Sequence, residues 1–146
     1  MHYIPGVNRI AVLRANALGD YIQSLPALES LRAAYPEAEI VLLGAPWHAE
    51  VLAGRPGPVD RVLVVPAVEG IREPVPDDPV PADQLAEFLD KARAESFDVA
   101  LQMHGGGRHS NPFVSSLGAR VTAGLRAPDA PPLDRTVPYY FYQPEV

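Results

Sequence analysis

The sequence predicts an α/β protein built on a Rossmann-like, doubly wound parallel sheet. Three observations carry that reading. Short apolar runs recur along the 146 residues, amphipathic helical patterns separate them, and the prolines concentrate in two segments outside those patterns. Strands that alternate with helices pair in parallel, because parallel neighbours need a crossover connection.

The first apolar run is "RIAVLRA" (9–15), where Ile10, Val12 and Leu13 suit a strand buried on both faces. From Ile22 the apolar positions Leu25, Leu28, Leu31 and Tyr35 recur every three or four residues, with Gln23, Glu29, Ser30 and Arg32 between them, which predicts an amphipathic helix ending at Pro36. Pro26 inside it lacks an amide hydrogen, so a kink or a loose first turn is expected there. Next come "AEIVLLG" (38–44) as strand, "WHAEVLAG" (47–54) as a short helix closed by Gly54, and "DRVLVV" (60–65) as strand. A proline-rich loop spans 66–81, where no helix or central strand would survive. Beyond it, "PADQLAEFLDKARAE" (81–95) reads as helix, "FDVALQM" (97–103) as strand, "NPFVSSLG" (111–118) as helix and "ARVTAGL" (119–125) as strand. The remainder, 126–146, is rich in proline and aromatics and reads as a tail or linker. Right-handed crossovers then give the strand order 3-2-1-4-5.

Bulk properties narrow the function. A chain of this length makes one core of ordinary domain size. Its net charge of -6 and pI near 5.1 exclude a surface built to grip nucleic acid through clustered Lys and Arg. With no cysteine, disulfides and thiolate metal sites are excluded, which suits the cytoplasm. No secretory signal and no apolar run of roughly 20 residues is present, so a soluble cytoplasmic protein is expected.

In a doubly wound sheet, ligands bind outside the carboxyl ends of the strands where the winding reverses. That places the loop "NALGD" (16–20), with Asn16, Gly19 and Asp20, opposite "HGGGRHSN" (104–111). Gly19 suits a sharp turn or the close approach of a ligand, and Asp20 stands where a helix begins, so it is either an N-cap or a general base. In the second loop, Gly105, Gly106 and Gly107 could offer their amides to an anion beside Arg108, or form only a flexible turn. No G-x-S-x-G elbow, Walker loop or G-x-G-x-x-G fingerprint accompanies them. His104 and His109 invite a metal reading, but without a carboxylate ligand no metal site is expected; a hydrogen bond to a sugar hydroxyl or a phosphate fits them better. His2 and His48 add nothing to a metal cluster, and Trp47 lines the same edge or fills the core.

The stretch "RIAVLRANALGDYIQSLPALESLRAAYPEAEIVLL", continued by "DRVLVVP" and "FDVALQMHG", resembles the N-terminal half of glycosyltransferase family 9, the heptosyltransferase family. The resemblance implies the acceptor-binding half of a two-domain, GT-B type enzyme that inverts the sugar's anomeric centre without a metal or other cofactor. It implies Asp20 as the base. The loop residues Asn16, Gly19, His104, Gly105, Gly106, Gly107, Arg108, His109 and Asn111, read from their place at the winding reversal and not from the family, are expected to hold the polar groups of a sugar or glycolipid acceptor. A nucleotide-sugar donor such as ADP-heptose would bind a C-terminal domain outside these residues, so this chain alone is not expected to transfer sugar. The tail would approach the interdomain linker. Contact with the inner membrane through the acceptor, and a homodimer through the exposed interdomain face, are further expectations. Gln102-Met103 followed by the glycine run departs from the family's polar Asp-x-Gln-Gly type segment, which puts the acceptor's identity in question. The competing reading is a non-catalytic Rossmann-like domain that binds a nucleotide or sugar phosphate, with Asp20 only capping.

Overall fold

In a computed structural model the chain is described for residues 3–74, 77, 80–81 and 83–140. His2 and the aromatic end at 141–146 lie outside the described residues. Among those described, the elements run β1 (Arg9–Leu13), α1 (Leu18–Ala34), β2 (Glu39–Gly44), α2 (Pro46–Leu52), β3 (Arg61–Val64), α3 (Gln84–Ala94), β4 (Val99–Gln102), α4 (Ser110–Ser115), β5 (Val121–Arg126) and β6 (Arg135–Pro138). They form one sheet in the order β3-β2-β1-β4-β5-β6, every neighbouring pair parallel. The Rossmann-like doubly wound sheet is therefore the observed fold, with the winding reversed between β1 and β4.

Alternation along the strands sends residues to two apolar layers. Ile10, Val12, Ile40, Leu42 and Val99 face Tyr21 and Leu28 of α1. Ala11, Leu13, Val41, Leu43 and Ala100 face Phe88 and Ala92 of α3 and Phe113 and Val114 of α4. Phe88 and Phe113 stack with ring centroids 5.8 Å apart, joining the two helices over that layer. Ile10, Val12 and Leu13 have no exposed surface, as expected of a central strand covered on both sides.

Three expectations need correction. The segment 126–146 is not all tail, because β6 adds a sixth strand beside β5. A connection of eight residues (127–134) reaches it, and Ala123 to Arg126 pair with it. Asp134 fastens the crossing by accepting from the Thr122 N–H at 2.8 Å and from its hydroxyl at 3.1 Å. Helix α1 starts at Leu18, four residues before the apolar periodicity does, and runs continuously through Pro26. Asp20 is consequently not the N-cap. Ala17 holds that position, with no side-chain cap, and Asp20 lies in the first helical turn, where a carboxylate opposes the positive end of the helix dipole.

Candidate functional site

The carboxyl ends of β1 and β4 open into a cleft of about 360 Å³ lined by Asn16, His104, Gly105, Gly106, Gly107, Arg108, His109 and Ser110, with Gly70, Ala127 and Asp129 closing it. The two loops that the sequence places opposite each other thus share one cavity. Asp20 is not part of its wall, and Asn111 is not either.

Each glycine of the loop answers to a different constraint. Gly105 has φ +74°, a conformation that side chains strain, with open space where a Cβ would stand. The Gly106 carbonyl accepts from the Ala127 N–H at 2.7 Å, and a Cβ there would press Ala127 and Tyr139 at 3.1 Å. At Gly107, φ +98° coincides with a Cβ position inside the Asn111 side chain, 2.3 Å from Nδ2. The amides of Gly106, Gly107 and Arg108 make no hydrogen bond among the described residues. These residues line the cleft, and with the exposed Arg108 and His109 side chains they offer it groups for a polar ligand.

Asn111 is fully buried and committed. Its Nδ2 donates to Pro131 O at 2.8 Å and Leu125 O at 3.3 Å, and its Oδ1 accepts from Gln102 Nε2 at 2.9 Å. Gln102 Nε2 also reaches Leu125 O and Gly105 O, while its Oε1 accepts from the His104 N–H. The sequence reading of the glycine loop offers Asn111 to the acceptor; the structure gives it the task of holding that loop onto β5 and the 127–134 crossing.

His104 is also mostly internal. Its Nδ1 accepts from the Ala15 N–H at 3.2 Å, and a hydrogen bond to the Gly70 backbone engages the ring from the proline-rich loop. Burial, and then the Arg14 charge, hold its pKa below the ordinary 6.5, so it stands as a neutral spacer between three loops. His109, exposed, packs so closely on Gly70 that a Cβ there would fall 2.4 Å from its ring. His48 is buried in α2, its Nδ1 accepting from the Ala45 N–H at 2.9 Å and its pKa lowered by desolvation, and it does not reach the cleft. Its neighbour Trp47 is 40% exposed and donates to Asn16 O at 3.2 Å, bracing the first loop from outside. The Oδ1 of Asn16 is buried without a hydrogen-bond partner, an acceptor at the cleft still to be satisfied.

Gly19 behaves unlike the other glycines. It is helical, its φ is unexceptional, and a Cβ there would meet nothing within 4 Å. The expected sharp turn is absent, and nothing among the described residues requires a glycine at this position. Beside it, the Asp20 carboxylate is 42% exposed and lies 3.5 Å from Arg14 Nη2. Sequence reasoning passes over Arg14, Gly70 and Asp129, and it notes Gln102 only as a departure from the family pattern, not as the residue that anchors the glycine loop.

The fold has solved counterparts. A glycosyl transferase family 9 protein from Veillonella parvula DSM 2008 superposes with a TM-score of 0.65 at 21% identity, over 89% of this chain and 36% of that one. The E. coli heptosyltransferase WaaC with ADP-2-deoxy-2-fluoro heptose superposes at 0.59 and 22% identity, over 80% and 36%. WaaC with ADP does so at 0.53 and 20%, over 80% and 34%. The chain spans about a third of the length of these proteins. At such identity the likeness shows the fold. No protein-family model matches the chain, and no curated protein matches it. No helix among the described residues is long and apolar enough to cross a membrane.

Proposed function

We propose that this chain is the acceptor-binding domain of an inverting, heptosyltransferase-like glycosyltransferase, with Asp20 as the general base. The observation that carries this reading is the pair Gly19-Asp20. A glycine that the fold does not need leaves open space at the first turn of α1, directly beside a half-exposed carboxylate. Space of that kind admits a ligand to the helix backbone. The neighbouring cleft offers free amides, Arg108 and His109 as donors, and Asn16 Oδ1 and Asp129 as acceptors. This mixture suits the hydroxyls of a glycan or lipopolysaccharide-like acceptor.

In the reaction, an acceptor hydroxyl passes its proton to Asp20 as its oxygen bonds to the anomeric carbon of the donor sugar. The bond from that carbon to the nucleotide's phosphate breaks, its electron pair leaves with the nucleotide, and attack from the opposite side inverts the centre. The donor, an ADP-heptose-like nucleotide sugar, would be held by a second domain. The likeness to WaaC, solved with ADP-2-deoxy-2-fluoro heptose, supports that class of donor. In this reading the protein works in the cytoplasm and meets the membrane through its acceptor.

The alternative, a non-catalytic domain that binds a nucleotide or sugar phosphate, is favoured by the free amides of the glycine loop and Arg108. Asp129 in the same cleft opposes an anion and favours a polyol.

Gly19→Ala separates a ligand-driven glycine from an incidental one. Alanine is the better helix former, by up to about 1 kcal/mol, and its methyl would meet nothing within 4 Å among the described residues, so the thermal midpoint is expected to rise. Acceptor binding, followed by calorimetry, is expected to weaken at least about tenfold, because the added methyl occupies the ligand's approach. A variant that is more stable and binds as well as the wild type contradicts the placement of the acceptor over Gly19.

A further inference from the structure

We propose that Arg14 is the positioning residue of the proton-accepting carboxylate: pinned between β1 and β4, it fixes Asp20 Oδ1 and leaves the second oxygen free for the acceptor hydroxyl. This rests on the reading of Asp20 as base.

Arg14 directly follows β1, and its position is set from three sides. Its N–H donates to Leu43 O at 3.1 Å, continuing the ladder to β2. Its Nη1 donates to Met103 O at 2.5 Å, and the Met103 N–H returns a bond to Leu13 O at 3.1 Å, so the guanidinium is tied across the point where the winding reverses. Its Nη2 lies 3.5 Å from Asp20 Oδ1. The Arg14 side chain is 18% exposed and Asp20 is 42% exposed. The arginine is therefore the fixed member of the pair and the aspartate the member that needs fixing. An ion pair between two exposed, flexible side chains orients little; a planar fork held by a carbonyl loses less freedom and orients more.

Two further observations describe the surroundings of this arginine. Its Nε is buried with no hydrogen-bond partner, which is unfavourable. It also stands close enough to the buried His104 ring to oppose the ring's protonation, while Asp20 acts on the same ring in the opposite sense. Arg14, Asp20 and His104 thus form one electrostatic group at the cleft's inner edge, and the neutral ring is the member that can be observed.

Orientation of a base matters because a misplacement of about 1 Å can cost on the order of 100-fold in rate. In the longest polypeptide that the chain's reading frame encodes, Arg14→Met is expected to lower kcat by about 10- to 100-fold with KM changed less than about threefold. In the Asp20→Asn background the same change is expected to add nothing, since its effect runs through that carboxylate. Arg14→Lys keeps the charge without the fork and falls between the two; it also serves where the methionine variant does not fold. In the full chain, proton NMR of the His104 ring is expected to titrate at higher pH in Arg14→Met and at lower pH in Asp20→Asn. Full turnover in Arg14→Met beside an inactive Asp20→Asn overturns the positioning role alone, as does an equal further loss in the double variant, a lysine variant no better than methionine, or a His104 midpoint unmoved by Arg14→Met. Retained turnover in Asp20→Asn overturns the base assignment, and this role with it.

Discussion

Asp20→Asn is expected to lower transfer by about 1,000-fold or more while the fold and acceptor binding persist. General-base assistance typically contributes about 100- to 10,000-fold, and the amide that replaces the carboxylate cannot take up a proton. The fold should persist because Asp20 caps no helix and its carboxylate is half exposed; its loss removes one ion pair and one favourable charge near the start of α1. Turnover and a thermal melt of the same preparation check both halves. A variant inactive because it is unfolded would leave the role open to Asp20→Glu, which keeps the acid but displaces it by a methylene and should retain a small fraction of the rate.

The largest loss of stability is expected at Asn111. Asn111→Ala removes the donors to Leu125 O and Pro131 O and the acceptor of Gln102 Nε2, and leaves a void in a fully buried site. Each buried group left unpaired costs about 1–3 kcal/mol, so a total near 3–5 kcal/mol is expected, a drop in thermal midpoint of roughly 10 °C or more. Asn111→Asp tests the cause. It keeps the volume but turns two donors into an acceptor facing two carbonyls, and should be at least as damaging as alanine. If aspartate were tolerated, simple filling of space, rather than the hydrogen-bond network, would be what holds the loop.

Five of the six strands, β1 to β5, were legible because their burial shows in the apolar pattern. Ile10, Val12 and Leu13, or Ile40 through Leu43, read as strands since both faces of a central parallel strand must be apolar. Strand β6 leaves no such trace. All four of its residues are exposed, one is Pro138, and what fixes it is the pairing with β5 and the Asp134–Thr122 bonds. The start of α1 was misplaced for a related reason: Ala17 carries no capping side chain, so the boundary has no chemical marker.

At the site, sequence placed the two loops opposite each other, because the order of strands follows from the alternation of elements. It could not separate internal from external duties. Asn111 and His104 sit in a polar, glycine-rich stretch that reads as ligand-facing, yet buried hydrogen bonds claim them both. Gly19 and Gly107 look alike in sequence; one has open space above it and the other the Asn111 amide. Arg14 escaped notice because it meets Asp20 across a turn, where neither helical nor strand spacing relates them.

The central claim, an acceptor-side domain whose Asp20 removes a proton during an inverting transfer, is tested most directly by the configuration of the product. The longest polypeptide encoded by the chain's reading frame would be incubated with an ADP-heptose and a panel of glycan acceptors, and the anomeric centre of any product assigned by NMR. The account predicts transfer with the anomeric configuration inverted relative to the donor. A retained configuration, or no transfer across a panel of nucleotide sugars and acceptors by a folded polypeptide, would contradict it.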